Sequence, residues 1–405
     1  MDAGAAHGFV DGLQAATFAP KMLRPFDVVL FGATGFTGGL VAHELAARSI
    51  GGALRWAIAG RDRAKLEALR ERLTTTQPSL AAPAIVVAAS DDPNSLANLA
   101  SQTRVIASTV GPYDLHGDAL VDACVEARTD YVDITGEPAF WQRTIARHHE
   151  RATAREVLLV SCCGFDSIPH DLGAYFVAKQ FAGDEPLEID AFVKVSGSPS
   201  GGTWASAVNA LANLRKPGGG GGGGGSSGRK PRIHHEAAVG QWVVPFPSVD
   251  PLVVKRSARF CPQFSQSFRY RHYLQVKSLA KLGQLLAGVG VVAAMAQTKP
   301  TRGLLLRWKA SGEGPSPEQR ARSSFVVTLV GRSAGRTVRV EVSGRDPGYG
   351  LTGMMLAESA LTLAQDRDRL PHRGGVLTPA SALHEPLLER VQRGGMQFRV
   401  VDVVE

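Results

Sequence analysis

Cysteine is scarce in this chain of 405 residues: Cys124, Cys162, Cys163 and Cys261 are the only four, and none has metal-site spacing. The vicinal pair ends an apolar run and reads as buried and reduced, which suits an intracellular compartment, and no metal site is expected. Basic blocks interleaved with aromatics are also missing. The net charge of +8 and pI near 9.5 are spread along the sequence, so they point to solubility, acidic ligands or an anionic membrane surface and not to nucleic acid. Residues 1–24 lack the apolar core of a secretory signal, and Asp2 and Asp11 argue against an organelle transit peptide; the segment is read as a flexible tail.

Long apolar runs are absent with one exception, residues 278–297. Lys281 and Gln284 interrupt it, leaving about fifteen clean residues against the ~20 that a spanning helix needs. A buried core helix is the first reading, a helix lying in a membrane or lipid monolayer the second, and a span the third. Arg302, Arg307 and Lys309 follow it and would suit anionic headgroups.

What is present is 44% hydrophobic content over a length sufficient for two cores, organised around Asp27 to Arg61. Asp27 to Phe31 is an apolar run of the kind a doubly covered parallel strand shows, and it breaks directly into Gly32-Ala33-Thr34-Gly35-Phe36-Thr37-Gly38. Leu40, Val41, Leu45 and Ala46 then recur at helical spacing, and a second strand follows at Arg55 to Ala59. Strand, glycine turn, helix and strand is the setting of a dinucleotide fingerprint, here spaced G-x-x-G-x-x-G. Gly32 would permit the tight turn, Gly35 the approach of a pyrophosphate, and Gly38 close packing of helix on sheet. Thr34, Phe36 and Thr37 complete the loop, whose helix dipole would face the phosphates.

The end of the second strand selects the cofactor. An acidic residue there would hold an NAD ribose hydroxyl, but the chain reads Ala59-Gly60-Arg61-Asp62-Arg63 with Lys65 beyond. The planar fork of Arg61 suits a 2′-phosphate, so NADP(H) is expected. Lys65 reads as part of a solvated first turn, and Asp62 as a cap or first-turn acid.

Strand and helix continue to alternate: a helix over 63–73, a strand over 85–89, a short helix over 93–100 and a fourth strand over 104–109. Asp91 could reach an adenine edge or cap the helix that follows. Ser108, Val110 and Gly111 form a floor for the ribose and nicotinamide, because open parallel sheets collect ligands outside the carboxyl ends of their strands. Tyr113 could be a packed wall or a proton donor, and His116 is a second candidate acid. A helix over 117–127 and a strand over 130–135 place Asp133 and Glu137 at a strand end, with Glu137 expected to cap the helix starting near Pro138. A sixth strand over 157–162 opens into Cys163 to Gly173, where Asp166, Ser167 and His170 would cluster beside a substrate cleft.

GATGFTG, AGRD, GPYDLHGDALVDAC, TDYVDITGE and CGFDSIPHDLG, in this order and at these distances, resemble the saccharopine dehydrogenase-like oxidoreductases, including trans-acting enoyl reductases of mycobacterial glycolipid synthesis. The resemblance is dense over residues 26–175 and thinner beyond. It implies an NAD(P)-binding Rossmann domain with an inserted α+β domain, a dinucleotide site at Gly32, Gly35, Gly38 and Arg61, and, for some members, residence on membranes or lipid droplets. The lysine-pathway enzyme is a more distant relative.

The expected fold is α/β: a Rossmann-type doubly wound parallel sheet over 25–172, an inserted α+β second domain over 173–346, and a C-terminal segment over 347–405 that returns to the Rossmann domain. The second domain would hold a strand over 187–197, a helix from Trp204 to about Asn213, a flexible glycine-rich loop at 218–228, and a hairpin joined by residues 331–335. The expected function is NADP(H)-dependent hydride transfer on a hydrophobic, lipid-like substrate, conceivably a carbon–carbon double bond, with Tyr113, His116, Asp166 and His170 as candidate acids. The alternatives are a non-catalytic dinucleotide-binding protein attached to a membrane or lipid droplet, and a saccharopine-type amino-acid dehydrogenase. The expected location is intracellular, cytoplasmic or peripheral to a membrane or lipid droplet, and a homodimer is left open.

Overall fold

The computed structural model describes residues 24–405 apart from 51, 53, 77, 182, 183, 198–203, 205–207, 209, 210, 213–230 and 309–315. The expected tail up to residue 23, most of the helix from 204 to 213 and the glycine-rich loop lie outside the described residues. Arg24, which had been assigned to the tail, is buried, and its guanidinium donates to the Thr103 carbonyl at 2.5 Å and to Thr129 Oγ1 at 2.5 Å.

Six apolar runs of the first half form β1 (Phe26–Phe31), β2 (Trp56–Gly60), β3 (Ala84–Val87), β4 (Thr103–Ser108), β5 (Asp130–Asp133) and β6 (Leu158–Val160). They pair in parallel in the order β13-β6-β5-β4-β1-β2-β3, where β13 (Gly375–Leu377) comes from the C-terminal segment. Side chains of one strand alternate between the two faces, so Val28 and Leu30 enter one core while Val29 and Phe31 enter the other. Both faces must therefore be apolar, which is why these strands read as continuous hydrophobic runs. Helices α1 (Phe36–Arg48), α2 (Arg63–Thr76), α3 (Pro93–Ser101), the single turn α4 (Tyr113–His116), α5 (Asp118–Ala127) and α6 (Pro138–Ala154) complete this half. Strand order reverses between β1 and β4, so the crevice for a ligand opens at their carboxyl ends.

The expected domain boundary at 172/173 falls inside α7 (Ile168–Ala178), a helix buried on nearly every side. The second sheet contains β7 (Leu187–Ser196), β8 (His234–Glu236), β9 (Gln241–Pro245), β10 (Phe268–Val276), β11 (Ser324–Ser333), β12 (Arg336–Arg345) and β14 (Gln397–Val404). Its order is β14-β12-β11-β7-β10-β9-β8; only β7 and β10 run parallel. The β11–β12 hairpin turns over Ala334 and Gly335, not over 331–335: both have positive φ, 48° and 86°, the backbone a two-residue hairpin turn requires, and this lets the ladder run to Ser333 and Arg336.

Ahead of β11 stand α8 (Asp250–Phe260), α9 (Leu279–Ala296), α10 (Lys299–Trp308) and the short α11 (Pro317–Ala321). The C-terminal segment supplies α12 (Gly350–Gln365), which packs on α1 and the first sheet, and α13 (Pro379–Arg393). The segment does not end on the Rossmann half, however. β14 crosses back and pairs antiparallel with β12, so one core cluster joins Val28 and Leu30 to Leu329, Val340 and Phe398. The first reading of residues 278–297 as a core helix is also overturned: only Leu282 and Ala296 of α9 are buried.

Candidate functional site

The carboxyl end of β1 is shaped by its glycines. Gly32 has φ of +89°, and a Cβ there would come within 2.7 Å of Thr109 Oγ1 at the end of β4. Thr109 Oγ1 in turn donates to the Gly32 carbonyl at 3.1 Å, tying the two strand ends together. A Cβ on Gly38 would lie 2.1 Å from the same carbonyl, so only glycine lets α1 approach the turn this closely. Gly35 is the N-cap of α1, which has no side-chain cap and no acidic residue in its first turn. The first amides of a helix have no intrahelical partners, and together with the helix dipole they suit an anion. Phe36 turns its ring away against Tyr349, with centroids 5.0 Å apart, so only its backbone is available to the loop.

At the end of β2 the cations separate. Arg63 sits 3.8 Å from Glu67, and Lys65 sits 3.7 Å from Asp62, whose carboxylate also accepts the Lys65 amide at 3.1 Å. Arg61 is exposed and has no hydrogen bond or ion pair among the described residues, so its fork is free for a phosphate. Asp91 is exposed, but capping of α3 belongs to Asp92, which accepts from the amides of Asn94 and Ser95. β3 also stops at Val87, short of the expected Ala89.

Ser108 is buried at the end of β4, with Val110 half-buried and Gly111 exposed beyond it. Tyr113 is a packing residue: its hydroxyl donates to the Ser108 carbonyl at 3.0 Å, and burial together with Asp133 pushes its pKa well above the ordinary tyrosine range. It is not poised to give up a proton. His116, at the end of α4, is half-buried and meets none of the other candidate acids. Glu137 caps α4 and not α6, because its two carboxylate oxygens accept the amides of Tyr113 and Asp114, each at 2.9 Å. Asp133 is buried and latches β5 to β6, accepting from the Thr135 and Cys162 amides and from Ser161 Oγ, each at 3.0 Å; burial pushes its carboxyl up to about 6.

Asp166 and His170 do come together. The Asp166 carboxylate lies against Gly136, 3.1 Å from where a Cβ would stand, at the end of β5. The residue is exposed, with its carboxylate set against the end of β5. That crowding and the nearby Asp250 push it up to about 6, with His170 pulling the other way. Behind it, His170 Nδ1 faces Asp250 Oδ1 at 3.3 Å, and Asp250 Oδ2 faces His272 Nδ1 at 3.5 Å. Ser248 Oγ donates to Asp250 and lies 3.1 Å from His272 Nδ1. Burial resists ionisation of Asp250, but His170 and His272 hold its carboxyl below the ordinary aspartate range, while burial and His170 drive His272 down to about 3.

Asp250, His272 and Ser248 were not singled out from the sequence. Asp250 stands beside Pro251 at a helix start and reads as a first-turn acid; His272 lies in the alternating strand FRYRHYLQV. Neither has a local signal, since the cluster forms only when α8 and β10 fold against α7. Asp171, next in line, is accounted for structurally: it accepts from Ser257 and from the Ala380 amide at 2.8 Å, which fastens α13 to α7. The four cysteines are buried and unpaired.

These features fit a phosphorylated dinucleotide, with an uncapped helix start and glycine turn for the pyrophosphate, and an unpaired arginine beside the ribose position. Comparison with known proteins agrees. Residues 28–160 match the family model of the saccharopine dehydrogenase NADP binding domain. A saccharopine dehydrogenase-like oxidoreductase of Bos taurus is 30% identical over 94% of this chain and 99% of its own. A putative trans-acting enoyl reductase of Mycobacterium tuberculosis is 34% identical over 93% of this chain and 97% of its own. Among solved structures, the apo saccharopine dehydrogenase (L-Glu forming) of Saccharomyces cerevisiae shares the fold, with a TM-score of 0.53 at 13% identity, covering 93% of this chain and 100% of that one. The glycine turn, the arginine beside it and the extent of these matches place the chain in the saccharopine dehydrogenase-like oxidoreductase family, with an NADP-binding domain at its start.

Proposed function

We propose that this oxidoreductase reduces a lipid-like acceptor at a membrane surface, with Asp166 supplying the proton. The observation that carries the lipid assignment is α9 and α10. Leu279, Leu286, Val289 and Val291 on α9 and Leu304 and Trp308 on α10 are exposed, at 44% to 76% of their surface. From residue 271 to 308 the chain has no acidic residue, while Lys277, Lys281, Lys299, Arg302 and Arg307 are interspersed with the apolar residues. An exposed apolar face in a stretch whose only charges are cations suits an anionic lipid interface, and four free cysteines suit an intracellular one. The enoyl reductase name of the mycobacterial relative points the same way.

NADPH, when bound, supplies a hydride from its nicotinamide. Gly32 to Gly38 and Arg61 would hold the pyrophosphate and 2′-phosphate, leaving the Ser108 to Gly111 backbone to floor the nicotinamide end. Asp166, beyond the floor and raised toward neutrality, would deliver a proton to the acceptor atom next to the one that takes hydride, and solvent would reload it. Among the described residues, the charged groups named as acting on Asp166 are Asp250 and His170. A substrate with several carboxylates, as in saccharopine chemistry, finds less support there than an uncharged acceptor.

The test is deuteride transfer from labelled NADPH to lipid extracts presented on anionic vesicles. Label should enter a lipid product, Asp166→Asn should slow transfer by about 100-fold or more, and wild-type turnover should fall as pH rises through about 6 while Asp166 loses its proton. Arg61→Glu serves as the cofactor control and should weaken NADPH binding by more than about tenfold. Absence of label in every lipid fraction, with NADPH binding intact, would refute the lipid assignment.

A further inference from the structure

The cluster behind Asp166 contains more unmet bonding capacity than a packed core tolerates. His170, Asp250 and His272 are 2%, 2% and 4% exposed, yet Nε2 of both histidines has no hydrogen-bond partner, and His170 Nδ1 and Asp250 Oδ1 meet only each other, as an ion pair at 3.3 Å. Burying polar atoms without partners is costly, and native proteins rarely concentrate them in one place unless something fills the gap. The neighbours are no remedy: Ser248 commits its hydroxyl to Asp250, and the nearby Tyr270 hydroxyl is itself without a partner.

Spacing suggests what is missing. The His170 Nδ1 to Asp250 Oδ1 separation of 3.3 Å and the Asp250 Oδ2 to His272 Nδ1 separation of 3.5 Å are ion-pair contacts without a hydrogen bond between those atoms. Metal bonds of about 2.0–2.1 Å put neighbouring tetrahedral ligands about 3.3–3.4 Å apart, which matches the edge from His170 Nδ1 to Asp250 Oδ1; the 3.5 Å separation uses the other Asp250 oxygen, so the group must close by small side-chain rotations around an ion. One ligand atom from each of the three side chains lies within 4.8 Å of the others. Two imidazoles with one carboxylate are a donor set for a divalent first-row ion, and leave a fourth position open.

We propose that His170, Asp250 and His272 bind one divalent transition-metal ion of the Zn²⁺ class. The three ligands come from α7, α8 and β10, so the ion pins the second-domain elements to the helix that leaves β6. Asp166 stands one turn before His170, and the ion thereby fixes the wall on which it sits. The reading does not rest on the substrate assigned above, but a bound dication offsets the Asp250 charge that raises Asp166, so the fall of turnover near pH 6 is expected of metal-free protein.

The test uses the full chain without an affinity tag, purified without chelator. Metal analysis should find about one equivalent of Zn²⁺ per chain, and replacement by Co²⁺ should give the visible absorption bands of a tetrahedral site. Asp250→Asn and His272→Ala should each weaken metal binding by at least about 100-fold, since loss of outer-shell partners alone commonly costs 10- to 100-fold. Binding of NADPH, whose phosphates are held by the glycine turn and Arg61 and by none of these three residues, reports folding of both variants. If either fails to fold, His272→Cys decides: it should retain Co²⁺ and add a sulfur-to-cobalt charge-transfer band. Wild-type protein that holds less than about 0.1 equivalent, both as purified and after dialysis against Zn²⁺, would overturn the proposal. So would metal retained unchanged in the folded variants, or a His272→Cys protein whose bound Co²⁺ lacks the sulfur band.

Discussion

α9 and α12 are similar in length and apolarity, 18 and 16 residues, yet the protein treats them in opposite ways. Every residue of α12 from Leu351 to Ala364 is buried, including its one charge, Glu358, which is met by Arg48 and by Arg390 at 3.2 Å. α9 buries two residues, and its one charge, Lys281, is exposed. Glycine carries the contrast further. A Cβ at Gly353 of α12 would stand 3.2 Å from Leu40 on α1, whereas at Gly283, Gly288 and Gly290 of α9 it would meet nothing within 4 Å. Apolar composition shows that a helix gains by leaving water; it does not show what it leaves water for. α12 finds its partner within the chain, whereas α9 packs only at Leu282 and near its C-terminal end and leaves most of its apolar face exposed.

The sharpest way to break this contrast is to truncate matched leucines. Leu356 of α12 is fully buried, so Leu356→Ala removes packed volume and should destabilise the protein by about 2–5 kcal/mol. Leu286 of α9 is 48% exposed, and Leu286→Ala should change stability by no more than about 0.5 kcal/mol. Urea unfolding midpoints measure both. Equal losses would mean that α9 is held by the fold after all.

The next effect concerns binding. Val291→Glu puts an acid at a position of α9 that is 59% exposed, where it should leave the urea midpoint nearly unchanged. Sedimentation with vesicles rich in anionic lipid should nevertheless fall by about tenfold or more, from lost apolar burial and repulsion by the headgroups. High salt should weaken wild-type binding in part, because the cations act through a screened field while the apolar face does not. Undiminished sedimentation of Val291→Glu would show that α9 does not meet lipid.

The same contrast explains what could be read from the residues alone. The glycine turn, the arginine that follows β2 and the alternation of strand and helix up to β6 are local patterns: each depends on neighbours within a few positions, and the structure has them in the expected order with ends shifted by a few residues. The fate of residues 278–297 was different, because burial is decided by which surfaces the rest of the chain leaves uncovered. β14 was assigned to the wrong half for a related reason, since its partner β12 lies more than fifty residues upstream. The His170, Asp250 and His272 cluster is the extreme case. Its members stand 80 and 22 residues apart on two helices and a strand, and only His170 lies in a motif that drew attention. Tyr113 failed as an acid because a hydroxyl that looks free beside Gly-Pro is claimed by a carbonyl five residues earlier.

The smallest expected effect is also the most direct comparison, because one substitution is made in both helices. At Gly288 a methyl group meets open space, so Gly288→Ala should bring only the intrinsic helical preference of alanine, about 1 kcal/mol. Hydrogen exchange of the α9 amides should then slow by about fivefold, with the global unfolding midpoint little changed because α9 opens without the core. At Gly353 the same preference is opposed by contacts of 3.2 Å to Leu40 Cβ and 3.3 Å to the Val41 amide nitrogen, backbone and near-backbone atoms that cannot turn aside. Gly353→Ala should therefore fail to stabilise, and should lower the global midpoint if α1 is forced outward. Opposite signs from one methyl group would place the difference between these helices in their surroundings, since their own sequences favour a helix about equally. A like gain at both sites would mean that α12 has slack against α1 that its contacts do not suggest.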